Sequence, residues 1–101
     1  MFKKIINPKE ELNYRYDGIE NKYLINEGSR ALGLFAAVEN TTVPAQISPQ
    51  DVCFYVLEGK IELHTDDRFF ELNQDEMILI PKTSAFTLKF AENSKIMTAR
   101  L

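Results

Sequence analysis

The segment Val52-Cys53-Phe54-Tyr55-Val56-Leu57-Glu58-Gly59-Lys60-Ile61-Glu62-Leu63-His64 settles the structural class of this chain. Its first six residues are apolar, and β-branched and aromatic side chains dominate them, which favours a strand over a helix. Glu58-Gly59 breaks that run, and residues 60–64 then alternate polar and apolar with the period of two that a half-buried strand requires. Moving toward the C-terminus, Thr65-Asp66-Asp67 reads as a hairpin tip and residues 68–72 as its return strand. Residues 77–80 read as a short buried strand stopped by Pro81; Phe86, Leu88 and Phe90 again alternate with polar residues, and residues 96–101 close the chain. Toward the N-terminus, residues 32–38 form an apolar strand followed by a turn at residues 40–42.

Before residue 31 the pattern is weaker. A single helical turn fits residues 8–12, with Asn7 as cap and Pro8 at the first helical position. Residues 13–30 are polar and mixed, with Tyr14, Tyr16 and Tyr23 among charges, and read as one or two strands joined at Asp17-Gly18. No window of helical length shows a 3.6-residue period. Short strands about every ten residues with turn signals between them indicate an all-β sandwich or closed barrel.

The chain has 101 residues, enough for one core and too few for two, so residues 1–101 are expected to form a single domain. Apolar residues make up 45% and charged residues 27%, and these ordinary globular values argue against disorder. A net charge of −3, with Lys3-Lys4 as the one basic cluster, argues against nucleic acid as a partner. The lone Cys53 excludes an internal disulfide and fits a reducing compartment, so the cytoplasm is expected. The apolar stretch near the start, Ile5-Ile6, is too short for a signal peptide, and no run approaches membrane-spanning length.

Two spaced motifs give the chain a resemblance to the cupin superfamily. The first cupin motif runs Gly, five residues, His-x-His, three or four residues, Glu, six residues, Gly. Here Asn40 stands at the first glycine, Gln46 and Ser48 at the two histidines, Val52 at the glutamate and Gly59 at the closing glycine. The second runs Gly, five residues, Pro-x-Gly, two residues, His, three residues, Asn. Asp75, Pro81, Thr83, Phe86 and Phe90 occupy those places in order. The resemblance covers residues 31–101 and implies a small jelly-roll β-barrel core, with residues 1–30 as N-terminal strands or an extension.

The departures from the motifs carry the chemistry. The resembled family's metal site needs imidazoles and a carboxylate converging from two sheets. An amide and a hydroxyl at Gln46 and Ser48 are poor ligands, and Val52 and Phe86 cannot ligate at all. His64, the single histidine, has the parity of Lys60 and Glu62 and is expected to face solvent. No metal and no cofactor are therefore expected, and no catalytic residue is assigned.

If Val52 faces the barrel interior, Phe54 and Val56 do too; Phe86 likewise carries Leu88 and Phe90 with it. Gln46, Ser48, Val52, Phe54, Phe86 and Leu88 thus either bound a small pocket with apolar walls and two polar groups or plug the barrel with aromatic side chains. Cys53 has the opposite parity and reads as an inert packed thiol. Asp51 points inward only with a small shift of register, and Asp66, Asp67, Asp75 and Glu76 read as solvated turn residues. Tyr14, Tyr16 and Tyr23 either line a barrel mouth, cover the sheet or meet a partner subunit.

Three functions remain open at this level. The first is a metal-free module that binds or senses a small molecule. The second is a metal-independent enzyme acting on a sugar- or nucleoside-like substrate; Ser84-Ala85-Phe86-Thr87-Leu88 and Arg100-Leu101 are faintly similar to a short nucleoside-phosphorylase family whose other stretches are not evident. The third is a structural domain with a filled barrel. A homodimer is expected in each case, because an exposed sheet edge invites pairing, and residues 1–30 are the natural segment to exchange or pack across it.

Overall fold

The computed structural model describes residues 5–101, so the Lys3-Lys4 pair lies outside the described residues. A 3-10 turn at Pro8–Glu11 precedes β1 (Glu20–Glu27), β2 (Arg30–Ala37), β3 (Thr42–Ile47), β4 (Val52–Glu58) and β5 (Lys60–Thr65). The remaining strands are β6 (Phe69–Asn73), β7 (Met77–Ile80), β8 (Ala85–Phe90) and β9 (Ser94–Arg100). A five-stranded sheet has the order β1-β2-β9-β4-β7 and a four-stranded sheet the order β3-β8-β5-β6. Every pairing between them is antiparallel. Two such sheets packed face to face form the jelly roll that the resemblance implies.

Strand β4 belongs to the first sheet and β5 to the second, so the chain changes sheet across Gly59. Its φ of +91° lies in the region that favours glycine. A Cβ there would stand 2.3 Å from Ser94 Oγ and 2.5 Å from the Asn93 carbonyl oxygen. Ser94 is fully buried; its hydroxyl accepts from Lys60 N at 2.9 Å and lies 2.8 Å from the Glu92 carbonyl. This ties the β8–β9 turn to the start of β5.

Asn40, Asp75 and Thr83 also have positive φ, at 72°, 67° and 66°. These are the three of the four motif glycine positions that hold another residue here, so the backbone keeps the bend although the side chain has changed. Asn and Asp tolerate this region, whereas a β-branched threonine is an outlier there. Thr83 is held by its N–H donating to the Ser48 carbonyl at 2.8 Å and its hydroxyl donating to the Lys82 carbonyl at 2.6 Å.

Parity sets the core. Val52, Phe54 and Val56 from β4, Ile61 and Leu63 from β5, Phe86, Leu88 and Phe90 from β8 and Ile96 from β9 point between the sheets and are all buried. A second, smaller cluster lies on the outer face of the five-stranded sheet. There Leu12, following the 3-10 turn, packs with Leu34, Ala36 and Leu57, and Tyr14 and Met97 flank them. The Tyr14 hydroxyl donates to Glu58 Oε2, and burial, with this carboxylate second, raises its pKa well above the usual tyrosine value.

Four local expectations need correction. Residues 13–30 hold one strand, β1, and its hairpin to β2 turns at Gly28-Ser29, not at Asp17-Gly18. Strand β3 begins at Thr42, where only a turn is expected, and Pro44 is accommodated by a register shift between Val43 and Gln46. Strand β7 is not buried: it is a sheet edge with Met77 and Leu79 exposed, and only Ile80 is in the core. Asn7 precedes the 3-10 turn, yet its side chain makes no capping hydrogen bond. Residues 8–27 fold back on their own chain, with β1 paired to β2. No helix of the described residues is long and apolar enough to cross a membrane.

The Tyr14–Glu58 bond gives stability a pH dependence whose sign follows from the raised pKa. Above pH of about 10 the unfolded chain releases the phenolic proton while the folded chain keeps it, so stability falls as pH rises. Replacing Tyr14 with Phe is expected to cost about 1 kcal/mol at neutral pH and to flatten the decline of the urea midpoint in alkaline buffer. Parallel decline in the two proteins would show that Tyr14 carries none of it.

Candidate functional site

The two sheets do not fill the space between them evenly. Side chains from β5, β6 and β7, among them Ile61, Leu63, Leu72 and Ile80, pack into one half, which keeps a smaller opening of about 380 Å³ beside Phe70, Ile78 and Ile80. In the other half, between β1, β2, β9 and β4 on one side and β3 and β8 on the other, a cavity of about 470 Å³ opens to solvent. That volume falls within the ordinary range of small-molecule sites and far exceeds the voids of a well-packed interior.

All six candidate residues line this cavity. Val52 and Phe54 rise from β4, Phe86 and Leu88 from β8, and each is at least nine-tenths buried. Phe54 meets Phe86 edge-on, with centroids 5.5 Å apart at 74°, so the two rings form a wall. Gln46 sits opposite Phe86 in the β3–β8 ladder and is exposed at the mouth. Ser48 follows β3; its hydroxyl accepts from Gln50 N at 3.1 Å and is therefore partly engaged. The rest of the lining includes Tyr23, which stands edge-on to Phe35 at 5.9 Å. Tyr14 is on the outer sheet face and Tyr16 is exposed, so the three tyrosines do not form one group.

The sequence reading missed Asn21, Thr98 and Arg100, which bring further polar groups to the cavity. The signal was available for β9: Ile96, Thr98 and Arg100 share one parity, and the buried Ile96 fixes it as inward. Arg100 is held mid-sheet, opposite Ala31 of β2 and Val52 of β4.

Asp51 does not turn inward. Its carboxylate accepts from Lys82 N at 2.8 Å and its carbonyl from Leu101 N at 3.0 Å, so it fastens the loop between β7 and β8 and the chain end to the cavity rim. His64 is exposed and stacks obliquely on Phe69, 4.7 Å away. Cys53 lies on the outer sheet face and is only partly buried, less than its apolar neighbours suggest, and burial raises its pKa. The side chains at the four motif positions of a metal site do not fit a metal: Gln46 and Ser48 offer weak donors, Val52 and Phe86 none. Among the described residues no three His, Cys, Asp or Glu side chains are grouped to hold one.

The chain matches the family model of the ethanolamine utilisation protein EutQ over residues 10–99. The match reaches further toward the N-terminus than the two motifs do. No curated protein sequence matches the chain. Among solved structures, a conserved protein of unknown function from Streptococcus pyogenes is similar at 16% identity over 100% of this chain and 89% of that one, with a TM-score of 0.92. A cupin superfamily protein from Desulfitobacterium hafniense is similar at 15% identity over 100% and 94%, with a TM-score of 0.91. A cupin-2 domain protein from Shewanella frigidimarina shares 22% identity over 95% and 93%, with a TM-score of 0.77. At these identities the structures establish the fold.

Wall and mouth positions should differ in stability. Phe86→Ala removes a buried ring and its contact with Phe54, and is expected to destabilise by about 3–5 kcal/mol. Gln46→Ala, at the exposed mouth, should stay within about 0.5 kcal/mol. Urea unfolding of the two variants checks the contrast; equal losses would mean that Gln46 is part of the packed core.

Proposed function

Since this chain belongs to the family of the ethanolamine utilisation protein EutQ within the cupin superfamily, we propose that it is a small-molecule-binding or sensing module that works without a metal. One observation carries this reading: the open apolar cavity at the place where the resembled metal motifs converge. Large apolar walls with a few polar groups at the rim are what a small amphipathic ligand needs. Among the described residues the lining contains no His, Cys, Asp or Glu, so it lacks the usual pair for acid–base or nucleophilic chemistry, which favours binding over catalysis. The open half of the barrel likewise favours a pocket over a plug. The single thiol supports a cytoplasmic setting.

Thermal-shift screening of the purified chain against a metabolite panel, with and without a chelator, tests the reading. A ligand at a hundred times its Kd adds about 2.7 kcal/mol, and at least one amphipathic class is expected to raise Tm by several degrees with chelator present. No shift from any class, or shifts abolished by the chelator, would refute it.

We also infer a homodimer. The edge strand β7 presents Met77 and Leu79 at 56% and 64% exposure beside unpaired backbone, and an uncovered apolar edge is a site for pairing. Light scattering at micromolar concentration should give twice the 11.7 kDa chain mass; a monomer would refute it.

A further inference from the structure

Among the described residues, the cavity lining includes a single cation, Arg100, and no carboxylate. The other three arginines are already engaged: Arg15 with Asp17, Arg30 with Glu27, and Arg68 over the Phe70 ring. The half-buried Arg100 makes no ion pair or side-chain hydrogen bond among the described residues. A guanidinium is always charged at physiological pH, and partial removal from water without a partner is unfavourable. Such a group gains most from an incoming anion, and its planar fork of donors matches a carboxylate with two parallel hydrogen bonds.

Position strengthens the argument. Arg100 is anchored at both sides by the β2 and β9–β4 ladders, so its backbone is placed before any ligand arrives. Thr98, two residues earlier on the same face, and Gln46 across the mouth add neutral polar groups, while Phe54, Phe86 and Leu88 line the apolar depth. The cavity is thus polar and positive at its rim and apolar within.

We infer that the ligand of this cavity is an organic monocarboxylate with an apolar body, its carboxylate bound by Arg100 and its hydrocarbon part held between Phe54, Phe86 and Leu88. This rests on the binding-module reading and specifies its ligand class. One positive charge neutralises one negative charge, which favours a carboxylate over a phosphate monoester dianion. It disfavours ethanolamine, an ammonium at neutral pH, because Arg100 repels a cation and no lining acid offsets it.

Isothermal calorimetry with a matched series tests the assignment: 3-phenylpropanoate, 3-phenylpropan-1-ol, 3-phenylpropylamine and 3-phenylpropyl phosphate, with ethanolamine as a further arm. The carboxylate is expected to bind at least about tenfold more tightly than the alcohol, the value of one charge-assisted contact. The amine and ethanolamine should give no heat of binding. Arg100→Gln should lower carboxylate affinity to that of the alcohol, and Arg100→Lys should retain part of the preference; alcohol binding by each variant reports that its cavity is intact. Equal affinity for alcohol and carboxylate, tighter binding of the phosphate or of either amine, or a preference unaffected by Arg100→Gln would overturn the anion assignment while leaving a binding cavity. Failure of the whole series to bind would overturn the carboxylate assignment; the binding reading would fall with it only if the metabolite panel also gave no thermal shift.

Discussion

The joint between the two sheets depends on a glycine that leaves room for a neighbouring turn. At Gly59 the chain leaves the five-stranded sheet and enters the four-stranded one, and the Asn93-Ser94 backbone lies where any side chain would stand. Buried Ser94 then bonds Lys60 N, so the β8–β9 turn is fixed against the start of β5. Every residue facing between the sheets depends on this joint for its relative position. Val52, Phe54 and Val56 precede it, Ile61 and Leu63 follow it, and Ile96 leads away from Ser94. The three left-handed residues Asn40, Asp75 and Thr83 do the same work at other corners with less suitable side chains.

The cavity follows from how unequally the two halves between the sheets are furnished. Strands β5, β6 and β7 send branched aliphatic side chains inward and leave a smaller opening in their half. The opposite half is lined by the rings of Phe54, Phe86 and Phe90, the first two meeting edge-on. The mouth is fastened separately: Thr83 N donates to the Ser48 carbonyl and Lys82 N to the Asp51 carboxylate. An empty apolar volume forgoes dispersion contacts that a filled core would have. Stability that is not taken up by packing is the ordinary cost of keeping a site accessible.

Most of this was legible before any coordinates. The strand break at Glu58-Gly59 and the period of two in residues 60–64 are readable in the sequence, and the motif spacing together with parity groups the six candidate residues. What escaped detection depended on tertiary context. Met77 and Leu79 look like core residues, because a run of four apolar side chains cannot reveal that its strand is an edge. Strand β3 was hidden by Pro44, which is tolerated only because the register shifts beside it. Cys53 looked buried from its neighbours, yet the outer sheet face is covered around Leu12 and only partly around Cys53. Arg100 enters the sequence reading only through the faint likeness at Arg100-Leu101, and its place in the lining follows from the parity of β9, which Ile96 fixes.

The substitutions at the motif positions and the charge on β9 belong to one change in the site's electrostatics. In the resembled metal-binding pattern, positive charge would come from an ion held by imidazoles and a carboxylate at the places of Gln46, Ser48, Val52 and Phe86. Here those places hold an amide, a hydroxyl and two hydrocarbon side chains, and the positive charge in the lining is covalently fixed on β9, opposite Val52. A guanidinium differs from a metal ion in what it can do. It orients an anion through directional hydrogen bonds, but it does not lower the pKa of a bound water as a metal does. On the binding reading proposed above, such a group serves to orient an anionic ligand.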